Sequence, residues 1–88
     1  MQSLLSLELQ MDIMQKLFFF YPYTLTGRQF FNFFAGISEF QMAVNIDLLI
    51  KKGFINPDAI YLKNDIPHIR LGSLHLTEEG FEHTIKYF

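Results

Sequence analysis

Apolar residues recur at helical spacing near the start of the chain. Leu9, Ile13, Leu17 and Phe20 share one side of a helical wheel, and Met14, Phe18 and Tyr21 widen the stripe. The spacing predicts a first helix from about Ser3 or Leu7 to Tyr21. Pro22 ends it, because the proline ring disfavours the α conformation at the residue before it. Thr26 and Gln29 make a capping box at the start of a second helix, satisfying backbone N–H groups that a helix start leaves open. Phe30, Phe31 and Phe34 are expected on its inner face, Phe33 points elsewhere, and Gly36 is the stop. Ser38 and Gln41 repeat the box before a third helix that is expected to run to Lys52. Lys51 and Lys52 sit in its last turn, where the helix dipole favours cations, and Gly53 closes it.

After Gly53 the period changes from helical to alternating. Phe54 and Ile55 read as a short extended segment and Asn56-Pro57-Asp58 as a turn. Ile60–Lys63 and His68–Leu71 alternate apolar and polar residues around Asn64-Asp65-Ile66-Pro67, the pattern of a hairpin. Ile60, Leu62, Ile69 and Leu71 are expected to face the core, and Tyr61, Lys63, His68 and Arg70 to face outward. Gly72 and Ser73 break the second strand. Thr77 then caps a last helix with Glu78 and Glu79 in its first turn, and Phe81, Ile85 and Phe88 form its apolar stripe.

Composition adds limits to this pattern. The chain has 88 residues, of which 50% are hydrophobic and 11 are Phe. One small core is expected, and it has trouble covering so many rings. A second apolar surface, a homodimer interface or a partner site, follows. The net charge of −2 does not favour a phosphate backbone, since such affinity comes largely from cations that displace counterions. With no Cys, disulfides and thiolate metal sites are excluded, which fits a reducing cytoplasm. No basic segment precedes the first apolar residues, which Glu8 and Asp12 interrupt. The longest uncharged apolar run, Leu17 to Leu25, contains Pro22 and is too short to span a bilayer. A cytoplasmic protein without a membrane segment is expected.

Catalytic chemistry finds no foothold. His68, His75 and His83 lack ligand spacing, and Glu79 with His83 reads as a surface pair one helical turn apart. The five glycines are scattered and build no phosphate loop. No enzyme activity, cofactor or metal is expected.

The order helix, helix, helix, hairpin, helix resembles the winged-helix (winged helix-turn-helix) superfamily. The resemblance rests on "IDLLIKKGFI", the alternating hairpin and "LTEEGFEHTIKYF", and covers about residues 24 to 88. More narrowly, "QMAVNIDLLIKKGFI", "IPHIRLG" and "LTEEG" resemble the small YjcQ-like winged-helix proteins of Gram-positive bacteria and their phages. The resemblance implies an α+β fold of three helices, a β-hairpin wing and a C-terminal helix. It also implies a DNA-binding regulator that lays its third helix in the major groove and its wing against the backbone. Ser38, Gln41 and Asn45 would then face DNA, with Tyr61, Lys63, His68 and Arg70 on the wing.

The third helix departs from that pattern. Its N-terminal half carries no Arg or Lys, and Glu39 repels phosphate. Met42, Ala43, Ile46, Leu49 and Ile50 form a core face at about 100° per residue. Gln41, Asn45 and Lys52 form a polar strip, and Phe40, Val44 and Leu48 a second apolar strip. The first helix or the wing covers this strip, or a partner does. Two functions therefore stand side by side: a dimeric regulator that binds duplex DNA, and a protein-interaction module on the same scaffold. Phe18, Phe19 and Phe33, with Phe40, Val44 and Leu48, are the candidate partner surface.

Overall fold

Ser6 starts the first helix by accepting a hydrogen bond from the Leu9 amide at 3.1 Å, which satisfies one of the N–H groups the first turn leaves free. The computed structural model describes residues 4–87. Ser3, a candidate start of the first helix, and Phe88, expected in the apolar stripe of the last, lie outside them. Helix α1 (Leu7–Phe20) buries Leu9, Ile13, Met14 and Leu17, the expected stripe, together with Gln10. It stops before Pro22, with Tyr21 already extended at φ −53°, ψ 135°.

Helix α2 (Gly27–Phe33) opens with both halves of the capping box, Gln29 N to Thr26 Oγ1 at 3.1 Å and Thr26 N to Gln29 Oε1 at 2.9 Å. It has only two turns and meets the core along one narrow line. Phe30 and Phe34, one turn apart with ring centroids 5.4 Å apart, occupy that line. Phe31, expected beside them, is rotated about 100° away and is exposed. Gly36 reverses the chain at φ +85°, a conformation that favours glycine.

Helix α3 (Glu39–Lys51) keeps half of its expected capping box. Ser38 Oγ accepts from the Gln41 amide at 3.1 Å, but the Gln41 side chain points to the Leu4 carbonyl instead of back to Ser38. Met42, Ala43, Ile46 and Leu49 are buried as expected, with Ile50 half-buried. Gly53 ends the helix at φ +83°.

Strands β1 (Ile60–Lys63) and β2 (Ile66–Ile69) pair antiparallel, with Ile60 opposite Ile69 and Lys63 opposite Ile66. The loop is two residues, not the four expected. Asn64 and Asp65 adopt positive φ (53° and 64°), which these two side chains tolerate and a two-residue turn of the right twist requires. Ile66 and Pro67 therefore belong to the strand, and Leu71 falls in a short 3-10 turn, Leu71–Ser73. Such a turn makes Lys63 and Ile66 a hydrogen-bonded pair, so Pro67, opposite Leu62, needs no N–H for the ladder. Ile60 and Ile69 are half-buried against the core. Leu62, expected to join them, lies near the tip, beyond the reach of the core, and is 68% exposed.

Helix α4 (Glu78–Tyr87) is locked onto the segment after α3. Thr77 Oγ1 accepts from the Gly80 amide at 3.0 Å and donates to the Gly53 carbonyl at 2.6 Å. The Thr77 amide donates to the Phe54 carbonyl at 3.0 Å, and Ile55 bridges to Leu76. Phe81 stacks on Phe18 and Tyr21, with ring centroids 5.1 and 4.4 Å away. Gly80 and Thr84 form the inner line of α4, which leaves Ile85, expected in the stripe, more than half exposed.

The described residues thus form an α+β arrangement of four α-helices and one antiparallel hairpin. Among them no helix is long and apolar enough to cross a membrane. A Cβ at Gly80 would collide with the Phe54 carbonyl. Gly80→Ala should therefore lower the unfolding free energy by about 3 kcal/mol, read as an earlier midpoint in urea. A wild-type midpoint would show that α4 does not approach Phe54 so closely.

Candidate functional site

The side of α3 that was expected to face a ligand is partly closed by the chain's own start. Asn45 was assigned to an outward polar strip, but it is fully buried. Its Oδ1 accepts from the Ser6 amide and from Gln10 Nε2, both at 2.9 Å, and its Nδ2 donates to the Leu4 and Gln41 carbonyls at 2.9 and 2.8 Å. An amide side chain offers two lone pairs and two protons, so all four are spent. The backbone before α1 crosses α3 here and carries polar groups that an apolar residue would leave unpaired. Asn45 therefore has nothing to offer a base edge in this structure. Gln41 is half-buried and turned toward Leu4, while Ser38 remains exposed with its hydroxyl oxygen occupied by the cap.

The second apolar strip is covered only in part. α1 packs on the Asn45 side, and β2 lies along the opposite flank of α3. Between them Phe40 is 45% exposed, and Val44 and Leu48 are half-buried. A groove of about 370 Å³ separates α3 from the hairpin. Val44 and Ile50 line one wall, and Ile60, Leu62 and Pro67 the other. Asp47 and Lys51 also line it, but they pair with each other at 2.9 Å and largely cancel as charges. The exposed Leu62 extends the apolar surface toward the hairpin tip, whereas Ile66, paired with Lys63, lies on the other face of the hairpin.

The outward residues of the hairpin form a real cluster with a different emphasis from the expected one. Tyr61 and His68 stack across the strands with centroids 5.6 Å apart, as directly opposed residues should. The Arg70 guanidinium lies 4.8 Å from the Tyr61 ring centre and donates to the Asp58 carbonyl at 3.1 Å. His68 Nδ1 sits 3.2 Å from Glu39 Oε1. Glu39, read from sequence as a residue that repels phosphate, thus ties the hairpin to the start of α3. Lys63 is exposed near the turn and stands apart from these contacts. The Glu39–His68 contact joins residues 29 positions apart and left no signal in local spacing.

The phenylalanine candidates do not form one outward row. Phe18 turns inward to stack on Phe81, whereas Phe19 stays exposed on the far side of α1. Phe33 is partly exposed beside Phe20, with the Lys16 ammonium 5.6 Å from its ring centre. The histidines hold separate structural positions. His75 contacts Asn56 and the Leu76 carbonyl, and His83 lies on Phe54 with centroids 4.2 Å apart instead of presenting a surface pair with Glu79. Among the described residues no group of three or more His, Cys, Asp or Glu could hold a metal ion.

No family model matches the chain, and neither a curated protein nor a solved structure matches it. The class of the site therefore rests on its own geometry: an apolar groove between a helix and a hairpin, held by a polar contact at one end.

Asn45→Ala should cost about 3 kcal/mol in a denaturant titration, since it strands buried donors of Ser6 and Gln10. Gln41→Ala should cost under about 0.5 kcal/mol, as a substitution outside such a network does. Equal costs would show that the Asn45 network does not hold α1 on α3.

Proposed function

We propose that this chain is a winged-helix protein-interaction domain that docks an apolar segment of a partner protein between α3 and the hairpin. The element order and the α4 opening support the winged-helix part of this reading. One observation carries the functional part. On the outward side of α3, the residues suited to reading bases are buried or engaged, and the apolar strip there is left partly open, with Phe40 exposed, Val44 and Leu48 half-buried, and Leu62 exposed across the groove from Val44. A reader helix needs the reverse, polar side chains free to meet base edges and cations near phosphate. Glu39 adds an acidic group at the end where a phosphate would approach, and Arg70 is stacked on Tyr61. The groove instead offers an apolar floor with a self-paired Asp47–Lys51 rim, the composition of a small protein interface core.

Duplex DNA is the competing ligand, and two titrations separate the readings. Random duplex at low and at physiological salt should show no binding with the steep salt slope of a phosphate-gripping domain. A protein captured by the immobilised chain should bind Leu62→Asp or Val44→Lys at least about tenfold more weakly, as expected for apolar anchors in an interface core. Leu62 is exposed, so its substitution should leave the thermal midpoint nearly unchanged. Salt-dependent duplex binding that Arg70→Ala weakens and Leu62→Asp does not would replace the protein reading with the DNA one.

A further inference from the structure

Helices α1 and α4 meet where Phe81 stacks on Phe18 and Tyr21, and a cavity of about 280 Å³ lies between their other ends. It shares no lining residue with the groove beside the hairpin. Met14, Leu49 and Phe54 line its inner part. Leu7 and Met11 of α1 and Tyr87 of α4 form its walls, and all three are exposed large apolar side chains. Two methionines in one small cavity give a wall that adapts to the shape of a ligand, because thioether chains are flexible and polarisable.

Two residues on this cavity's lining carry nitrogen groups without a partner among the described residues. Lys52, an exposed residue on its lining, makes no ion pair or hydrogen bond among the described residues. The His83 ring stacks on Phe54 and leans on Tyr87, at centroid distances of 4.2 and 4.6 Å. Its nitrogens have no hydrogen-bond partner among the described residues. The third polar group, the Gln10 amide, is turned to Asn45 and spent there. The cavity is therefore apolar inside, with Lys52 and His83 on its lining carrying a cation and an imidazole that no described residue engages.

We infer that this cavity binds a small amphipathic carboxylate, its apolar chain or ring between Met11, Met14 and Phe54 and its anion on Lys52, with His83 as a second donor. A neutral apolar molecule would leave Lys52 idle, and a bare phosphate would gain nothing from the apolar walls. The volume sits just under the range of about 300–1,000 Å³ common for small-molecule sites, so the ligand is a small one. The inference is independent of the docking function proposed above, since it uses other residues and another face of α3.

Decanoate and decanol serve as probes, followed through the methionine methyl signals in carbon–proton NMR spectra. Decanoate should shift Met11 and Met14 and leave Met42, which does not line the cavity, in place. Decanol should bind about tenfold more weakly, the difference expected for one charge-assisted contact. Lys52→Gln should weaken decanoate by a similar factor without changing decanol, and Met11→Trp should abolish both by filling the cavity. Met11 lies on the cavity rim and is 44% exposed, so that variant should keep a thermal midpoint close to wild type. Equal affinity for acid and alcohol, indifference to Lys52→Gln, or the absence of shifts at Met11 and Met14 with decanoate below its micelle concentration would each overturn the inference.

Discussion

The Phe54 carbonyl is the point on which the rest of the arrangement hangs. It accepts the Thr77 amide, and Gly80 passes so close that no side chain fits between. Thr77 also donates its hydroxyl to Gly53, the residue whose positive φ ends α3. Three elements are thereby joined in a few residues. α3 is terminated, the next segment is held extended for the Ile55–Leu76 bridge, and α4 is launched in a set direction. That direction brings Phe81 onto Phe18 and Tyr21, so the same joint seats the far end of α1. Directional hydrogen bonds and a glycine contact fix geometry in a way that non-directional apolar burial does not.

Asn45 performs the matching task at the other end of α1. A buried side-chain amide is costly unless fully bonded, and this one is. The network holds the start of α1 over α3 and decides which strip of α3 is left outside. With Asn45 turned inward and Glu39 engaged with His68, the outward strip is Phe40, Val44 and Leu48. The chemistry of the candidate site is thus set by where two polar residues are used for structure.

Local signals were legible in the sequence, and contacts between distant segments were not. Thr26 with Gln29, Ser38, Gly53 and Thr77 each placed a helix boundary correctly, because a cap or stop is decided within four residues, whereas the second helix ends at Phe33, before Gly36. The alternation placed Ile60 and Ile69 against the core, but it did not show that Leu62 lies too near the tip to be covered or that Leu71 leaves the strand. The turn itself was misread because Ile66-Pro67 follows Asn64-Asp65, and proline suggested a loop where the ladder happens to need no donor. Asn45 was misplaced for a different reason. On a wheel it falls between the core and the outer strip, and only the crossing of the Leu4–Ser6 backbone decides which side it joins. Phe31 and Ile85 show the same limit, since a helical stripe gives the direction of burial but not its width.

The groove and the α1–α4 cavity lie on opposite walls of one short helix, which raises the question of whether filling one alters the other. A ligand shifts a conformation only when the protein has two arrangements that bind it differently. α3 offers little room for a second arrangement. Its start is tied to the hairpin through Glu39, its middle to α1 through Asn45, and its end to α4 through Gly53 and Phe54. Lys52 makes no ion pair or hydrogen bond among the described residues, whereas Lys51 beside it is paired with Asp47 on the groove. The two proposed surfaces share a helix braced at three points, and coupling between them would require the Phe54 joint to open.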